Sequence, residues 1–361
     1  GGLRIDCDLR NCYAHSRLLA VFQKGFLIMK TRRALAVLSL LVAAAASAPA
    51  ARASSDDALS LVPADAASVA VVRFNELRSS PLAARLFADA DHMNGNGDAA
   101  RFMAEANLKP REDVDTVVIV GLLPQAAASD TSALALFEGR FDPDRLATAA
   151  QTRGATRVSG SSGDYWLVPE KDSRHANGRG AVAFASPRLL VAGSETAVQA
   201  ALAARAGGGT TFSSGIGLGR QLSRIDRSSS MWALVDVTRY PAIQKGLNRP
   251  SGGAGGSEAA TALMGAMKSV TLFSFQARVH SDDLSLTASG VSPDAETRQL
   301  LEDSLRGVVA MWRLAVQEKS PELVSVLRRF KIDSDGDAVT VSGTLPSSVL
   351  RALGEKRTAR N

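Results

Sequence analysis

The sequence predicts an α+β fold: a tandem duplication of a ferredoxin-like (split βαβ) unit, with a hairpin and a closing helix added to each copy. Three observations predict it. A strand-like Leu-x-Leu pattern recurs 150 positions apart, at Leu134 and Leu284. A Val-x-Gly motif followed by Ser or Thr recurs with the same offset, at Val191 and Val341. Strand-like and helix-like segments follow the same order around both pairs, which is typical of an internal repeat.

The residues before the repeats are predicted to be removed. Residues 1–28 precede the first methionine, Met29, and we interpret them as a misassigned upstream segment. Residues 29–53 combine a basic start, an apolar run and an Ala-Arg-Ala sequence ending at Ala53, which matches a secretory signal peptide. Cleavage there makes Ser54 the start of a periplasmic or secreted protein. The signal peptide contains two adjacent arginines, so twin-arginine export stays open as an alternative to Sec export.

This processing changes what the composition implies. The 361-residue chain carries a net charge of +6, but eight of its 42 basic and two of its 36 acidic residues lie in residues 1–53. Residues 54–361 are therefore neutral, with 34 of each, and give no argument for binding nucleic acid or an anionic membrane. The apolar run is shorter than the ~20 residues of a membrane span. Both cysteines, Cys7 and Cys12, are also removed, so we expect no disulfide.

The first copy is predicted over residues 54–205, where period-two and period-3.6 patterns alternate. Its strands are predicted at residues 69–74, 116–121, 134–139, 165–169, 181–185 and 189–193. Three helices are predicted to begin at Ser80, Ala99 and Pro143. A fourth helix, which ends at Leu202, is predicted to close the copy. Asp142 is expected to be the N-cap of the helix that starts at Pro143. The last two strands form a hairpin that turns at Ser186.

The second copy is predicted over residues 228–361, after a Gly/Ser-rich linker at residues 206–227 that has little apolar surface to bury. Ser292 is expected to cap its helix as the equivalent of Asp142. That helix is long, with one apolar face. The face consists of Leu301, Leu305, Val308, Trp312 and Val316. Further helices are predicted to begin at Pro241, Glu258 and Ser320, and strands at residues 231–237, 270–277 and 338–343.

Two kinds of loop suggest ligands but have simpler explanations. The acidic stretch at residues 333–337 resembles a calcium loop, yet its glycine and its twelfth position depart from the EF-hand pattern, so we favour a turn. The glycines at residues 215–219 and 178–180 suggest a phosphate loop, but neither joins a strand to a helix start. We therefore predict no cofactor at either.

The remaining chemistry-bearing residues are also isolated in sequence. His92, His175 and His280 form no metal-binding pair, and the three tryptophans (Trp166, Trp232 and Trp312) are expected in the core. The basic run Arg328, Arg329 and Lys331 is interpreted as the polar, C-terminal end of a helix. No catalytic, cofactor-binding or metal-binding residue is predicted.

The start of the first copy carries a family resemblance. It reads Leu61-Val62-Pro63-Ala64-Asp65, then the strand at residues 69–74, then Leu77-Arg78-Ser79-Ser80-Pro81-Leu82. Together with the signal peptide, this is similar to a broad group of exported bacterial proteins of unknown function with duplicated α+β domains. The resemblance implies location and architecture, and it supplies no catalytic residues.

Two function classes follow. The first is a non-catalytic cell-envelope protein that binds an envelope protein or ligand across its two copies. The second is a periplasmic hydrolase that gathers carboxylates in a cleft between the copies, from Glu138, Asp142, Asp283 and Asp294. Caps and turns explain the same acids, so the non-catalytic hypothesis is favoured.

Overall fold

A computed structural model describes residues 56–78, 80, 98–123, 132–169, 179–207, 209–240, 265, 267–280, 283–317 and 321–349. Several predictions lie outside these residues. They are the segments at 1–28 and 29–53, the helices after Ser80 and Pro241, most of the helix that begins at Glu258, His92 and His175, Gly178, and the end of the closing helix.

The chain forms twelve strands and eight α-helices within the described residues. The strands are β1 Ala66–Arg73, β2 Val114–Leu122, β3 Ser132–Gly139, β4 Thr156–Gly160, β5 Gly163–Leu167, β6 Gly180–Ser186, β7 Leu189–Ser194, β8 Met231–Asp236, β9 Leu272–His280, β10 Asp283–Val291, β11 Lys331–Asp335 and β12 Ala338–Pro346. The helices are α1 Asp56–Leu59, α2 Phe74–Leu77, α3 Asp98–Glu105, α4 Pro110–Asp113, α5 Pro143–Thr152, α6 Glu195–Arg205, α7 Ala295–Gln317 and α8 Pro321–Arg329. Three 3-10 segments lie at Phe212–Ser214, Gly217–Arg224 and Val237–Arg239.

All twelve strands belong to one sheet, in the order β11-β12-β10-β9-β8-β1-β2-β3-β7-β6-β5-β4. The two halves of the chain meet where β1 pairs antiparallel with β8, with Ala70 opposite Ala233. Outward from this junction, the first half runs β2, β3, β7, β6 and the second half runs β9, β10, β12, β11. The two orders correspond strand for strand, and the hairpin β4–β5 extends only the first half.

The sheet differs from the predicted split βαβ arrangement. In that unit, two parallel strands joined by a helix enclose a third strand between them. Here β1 and β2, which are separated in sequence by helices, are direct antiparallel neighbours. The strands β3 and β7 on either side of α5 are also direct antiparallel neighbours. The order of elements in the sequence was correct, but a helix between two strands is compatible with either arrangement.

The pairing register corrects the predicted equivalence of Asp142 and Ser292. Asp142 caps α5 as expected, because its carboxylate accepts a hydrogen bond from the Arg145 amide at 3.1 Å. In the second half, Asp294 accepts from the Thr297 amide at 2.7 Å, and Ser292 is buried. The reason is a shift of two residues. Gly193 lies opposite Leu134, whereas Gly343 lies opposite Leu286 instead of Leu284.

Each face of the first half is covered by helices. One face, which we call the first face, carries Leu134 and Leu136 and packs against α6 and the segment that contains α1. The opposite, second face packs against α3 and α5 through Phe137 and Leu146. In the second half, the second face packs against α7 through Leu301.

The segment predicted as a linker is part of the core. Phe212, Leu218 and Ile225 are all buried against the first face. The expectation that residues 206–227 bury little apolar surface is therefore wrong. Among the glycines and serines, Phe212, Leu218 and Ile225 reach the sheet, whereas Ile216 is 42% exposed.

Candidate functional site

Glu138 is the described acid whose environment is most unusual. It lies in β3 with its side chain on the first face, and it is only 4% exposed. Its Oε1 accepts a hydrogen bond from the backbone N–H of Ala58 at 2.8 Å. Its Oε2 accepts no hydrogen bond from the described residues. A buried carboxylate with one unpaired oxygen is costly to ionise.

Burial accordingly raises the pKa of Glu138 to about 7, and the neighbouring Asp57 carboxylate raises it further, while the Ala58 N–H, the hydroxyl of Thr116 on the adjacent strand and Arg188 oppose the change. A carboxyl group with such a pKa is suited to proton transfer near neutral pH. Glu138 lines neither of two surface cavities formed by the described residues.

The contact of Glu138 with Ala58 explains its position. Ala58 is the third residue of α1, and its N–H is one of the amides that a short helix leaves without an internal partner. Glu138 caps this helix from 80 residues away. Sequence reasoning named Glu138 but missed this role. The sequence signal was the alternation of side chains along a strand. Glu138 lies two and four residues after the inward-facing Leu136 and Leu134, so its side chain points to the same face.

A second buried acid, Asp115, was not singled out from the sequence. Arg78 Nη1 donates to its Oδ1 at 2.9 Å, and the two side chains are 7% and 1% exposed. Arg188 lies 3.6 Å from the other carboxylate oxygen. Asp115 follows Val114 where a bulge interrupts the pairing of β2 with β3. The signal was a charged residue at the start of a valine-rich strand, which requires a buried partner.

The carboxylates of the hydrolase hypothesis are not brought together. Asp142 and Asp294 are helix caps, and Asp283 is an exposed residue at the start of β10. Strands β3 and β10 are separated by β2, β1, β8 and β9. This places Glu138 and Asp283 about 24 Å apart along the sheet, at ~4.8 Å per strand. Paired acid catalysis needs a separation below about 10 Å.

The acidic stretch at residues 333–337 is a turn only at Gly336 and Asp337, because residues 333–335 end strand β11. The turn joins β11 to β12, with Gly336 at a φ of 57°. Asp337 Oδ1 and Oδ2 accept hydrogen bonds from Arg224 at 2.9 and 2.7 Å, which lowers the pKa of Asp337. No cluster of three or more metal-binding side chains occurs in the described part of the chain.

The glycines at residues 215–219 serve packing. A Cβ atom on Gly219 would lie 2.0 Å from the carbonyl oxygen of Phe212, so the close approach of two backbone segments requires glycine there. Gly180 begins a strand, and His280 is exposed at the end of β9.

The tryptophans and the basic run have mixed outcomes. Trp232 is buried as expected, and the ring of Trp166 contacts Phe184 edge to face at 5.5 Å. Trp312 is 38% exposed, so its core prediction is wrong, because α7 extends beyond the core there. Arg328 and Arg329 occupy the last turn of α8, as the helix-end interpretation predicted.

The first face of the second half carries rows of hydroxyl groups. Leu234 on this face lies opposite Ser274, which lies opposite Ser289, which lies opposite Thr340. Directly paired residues point to the same side of a sheet. We call the six half-buried residues of β10 and β12 on this side the hydroxyl face: Ser285, Thr287, Ser289, Thr340, Ser342 and Thr344.

Neighbouring hydroxyls on this face bond to one another. Ser289 Oγ contacts Thr340 Oγ1, and Ser285 Oγ lies 3.4 Å from Thr344 Oγ1. Each hydroxyl can donate one hydrogen bond and accept two, so these pairs keep acceptor capacity for a ligand. Next to them, Arg278 forms an ion pair with Asp226. The sequence signal was the alternation Ser-Leu-Thr-Ala-Ser at residues 285–289, which places every hydroxyl on one side.

Comparison with known proteins adds only a structural likeness. No protein-family model matches the sequence, and no curated protein is significantly similar to it. Solved structures that match include crystal forms III and I of the Treponema protein TP0453. The TM-scores are 0.47 and 0.45, with 11% and 10% sequence identity over 81% and 82% of this chain and 96% of the TP0453 chain. Similarity at this level carries no information about function.

No described helix is both long and apolar enough to cross a membrane. The two surface cavities lie elsewhere. One, of about 340 Å³, is formed by α3 and α5, and the other, of about 460 Å³, lies between the ends of α7 and α8. Glu105 in the first cavity has a pKa lowered by its hydrogen bond from Arg153.

Proposed function

We propose that this protein is an exported, non-catalytic component of the bacterial cell envelope that binds a partner or ligand on the sheet shared by its two halves. The signal-peptide pattern ending at Ala53 supports export to the periplasm or beyond. The matching strand orders on either side of the β1–β8 junction support an origin by duplication. Neither inference depends on the similarity to TP0453.

The hydroxyl face is the observation that carries the binding role. On the first face of the first half, apolar residues are covered by α6 and the α1 segment. The corresponding strands of the second half place serines and threonines on the same face. A sheet face that packs against its own helices needs apolar side chains. Hydroxyl-bearing side chains at these positions suit contact with water or with a polar partner.

The described acids also favour a non-catalytic role. Glu138 caps α1, Asp115 pairs with Arg78, and Asp142 and Asp294 cap their own helices. Each carboxylate therefore has a structural task. A hydrolase would need at least two of them within reach of one bond.

The test is capture from an envelope extract by the protein beginning at Ser54, compared with a variant carrying Thr287→Val, Thr340→Val and Thr344→Val. Valine keeps the shape of threonine and removes the hydroxyl. We expect the wild type to retain a specific partner or ligand and the triple variant to lose it. A matched control replaces Thr148 and Thr152 on α5 with valine and should retain binding. No specific retention by the wild type, or equal retention by the triple variant, would contradict the proposal.

A further inference from the structure

An exposed apolar stripe runs along α7, away from the hydroxyl face. Leu300, Gly307, Met311 and Leu314 recur at intervals of 7, 4 and 3 residues, which places them on one side of a helix. Leu314 is 70% exposed and Leu300 is 48% exposed. The core-facing side of α7 is different and contains Leu301 and Val308. The stripe is therefore a second apolar side of the helix.

Gly307 lies at the centre of this stripe. A Cβ atom added there would meet no atom within 4 Å among the described residues outside its own helix turn. Glycine in the middle of a helix is less favourable than alanine, and packing among the described residues gives no reason for it here. A residue without a side chain does allow the backbone of another helix to approach closely.

The stripe is self-complementary about Gly307. Leu300 lies seven residues before this glycine and Leu314 lies seven residues after it, each ~10.5 Å away along the axis. Two antiparallel copies of α7 that cross at Gly307 therefore place Leu300 of each copy beside Leu314 of the other. A two-fold contact requires this matching of a surface with itself. The bordering Asp303 and Arg306 carry opposite charges, so two copies do not repel each other.

We propose that the stripe Leu300, Gly307, Met311 and Leu314 binds a second copy of this chain, with the two α7 helices antiparallel and crossing at Gly307. The contact extends over residues 300–314, about 21 Å of helix. Two helices of this length bury less than the ~1,600 Å² of a standard interface. We therefore expect a homodimer that dissociates on dilution.

Residue 307 meets itself at the two-fold axis, which gives a sharp test. Gly307→Lys and Gly307→Glu each place two like charges together, and each variant alone should be monomeric in analytical ultracentrifugation at concentrations where the wild type is dimeric. An equal mixture of the two variants should form a heterodimer. Both substitutions are on an exposed helix surface, so circular dichroism should show native folds.

Cross-linking provides an independent measurement. In a chain whose Cys7 and Cys12 are replaced by serine, Gly307→Cys should form a disulfide-linked dimer on mild oxidation, and Gln299→Cys, which points to another side of α7, should not. A wild type that stays monomeric at all concentrations would overturn the proposal. A dimer that survives both charged variants, or that cross-links through residue 299 and not through residue 307, would overturn it as well.

Discussion

The two halves of the sheet have the same strand order, but their apolar side chains are distributed differently between the two faces. In the first half, Leu134 and Leu136 on the first face are completely buried under helices. In the second half, the first-face residues of β10 are Ser285, Thr287 and Ser289, whereas Leu286 and Ala288 are half-buried on the second face. Strand order and side-chain direction are thus independent properties. A shift of one residue against the neighbouring strand moves every apolar side chain to the other face.

The difference also changes how each half is stabilised. The first half keeps polar groups in its interior, with Asp115 paired to Arg78 and Glu138 bound to the α1 amide. In the second half, the ion pairs of Arg224 with Asp337 and of Arg278 with Asp226 are partly exposed, and the buried Glu302 pairs with the exposed Arg306. Buried pairs are sensitive to loss of one partner, whereas exposed pairs contribute little. Three predictions test this contrast, beginning with the largest effect.

Removing Arg78 is expected to have the largest effect. Arg78→Ala leaves the Asp115 carboxylate buried without its main partner, which should lower the free energy of unfolding by about 3–5 kcal/mol. Urea denaturation measures the change. The control in the second half is Arg224→Ala, which removes a partly exposed pair and should cost about 1 kcal/mol or less. Equal losses in the two variants would refute the contrast between the halves.

Glu138 should make stability depend on pH, with an effect of about 3 kcal/mol for a rise of roughly two and a half pKa units. Because its folded-state pKa is raised, its favourable contribution is complete below about pH 4.5 and is lost as the pH rises through about 7. Glu138→Gln removes this titration and keeps an acceptor for Ala58. The stability of the variant relative to the wild type should therefore increase from pH 5 to pH 8.

In the second half, the half-buried first-face residues of β10 are Ser285, Thr287 and Ser289, and none of them is acidic. The second half therefore has no equivalent titration at these positions. Denaturation curves of the wild type and of Glu138→Gln at several pH values measure the difference. A difference that is constant between pH 5 and pH 8 would show that Glu138 does not titrate in this range.

The sequence was sufficient to predict most elements but not their pairing. Local periodicity located the strand at residues 69–74, the hairpin turning at Ser186 and the long helix α7, because each pattern reflects one buried side. The strand order and the burial of Phe212 depend on contacts between distant segments. The alternation of side chains along β3 places the Glu138 side chain on the inward face. Its hydrogen bond from Ala58 joins two distant segments, so no local pattern indicated it.

Replacing a helix cap is expected to have the smallest effect on stability. It also tests most directly that the cap of the second half is Asp294, two residues after the predicted Ser292. Asp142→Ala and Asp294→Ala each remove an acceptor for a first-turn amide, so each should cost about 1 kcal/mol in thermal or urea unfolding. Asp142→Ser and Asp294→Ser should recover most of this loss, because serine also caps. If the sequence offset of 150 were the structural one, Asp294 would be a first-turn residue that caps nothing, so Asp294→Ala would lose only the ~0.3–1 kcal/mol of an acid near a helix N-terminus and Asp294→Ser would recover none of it. The recovery by Asp294→Ser therefore decides between the two registers.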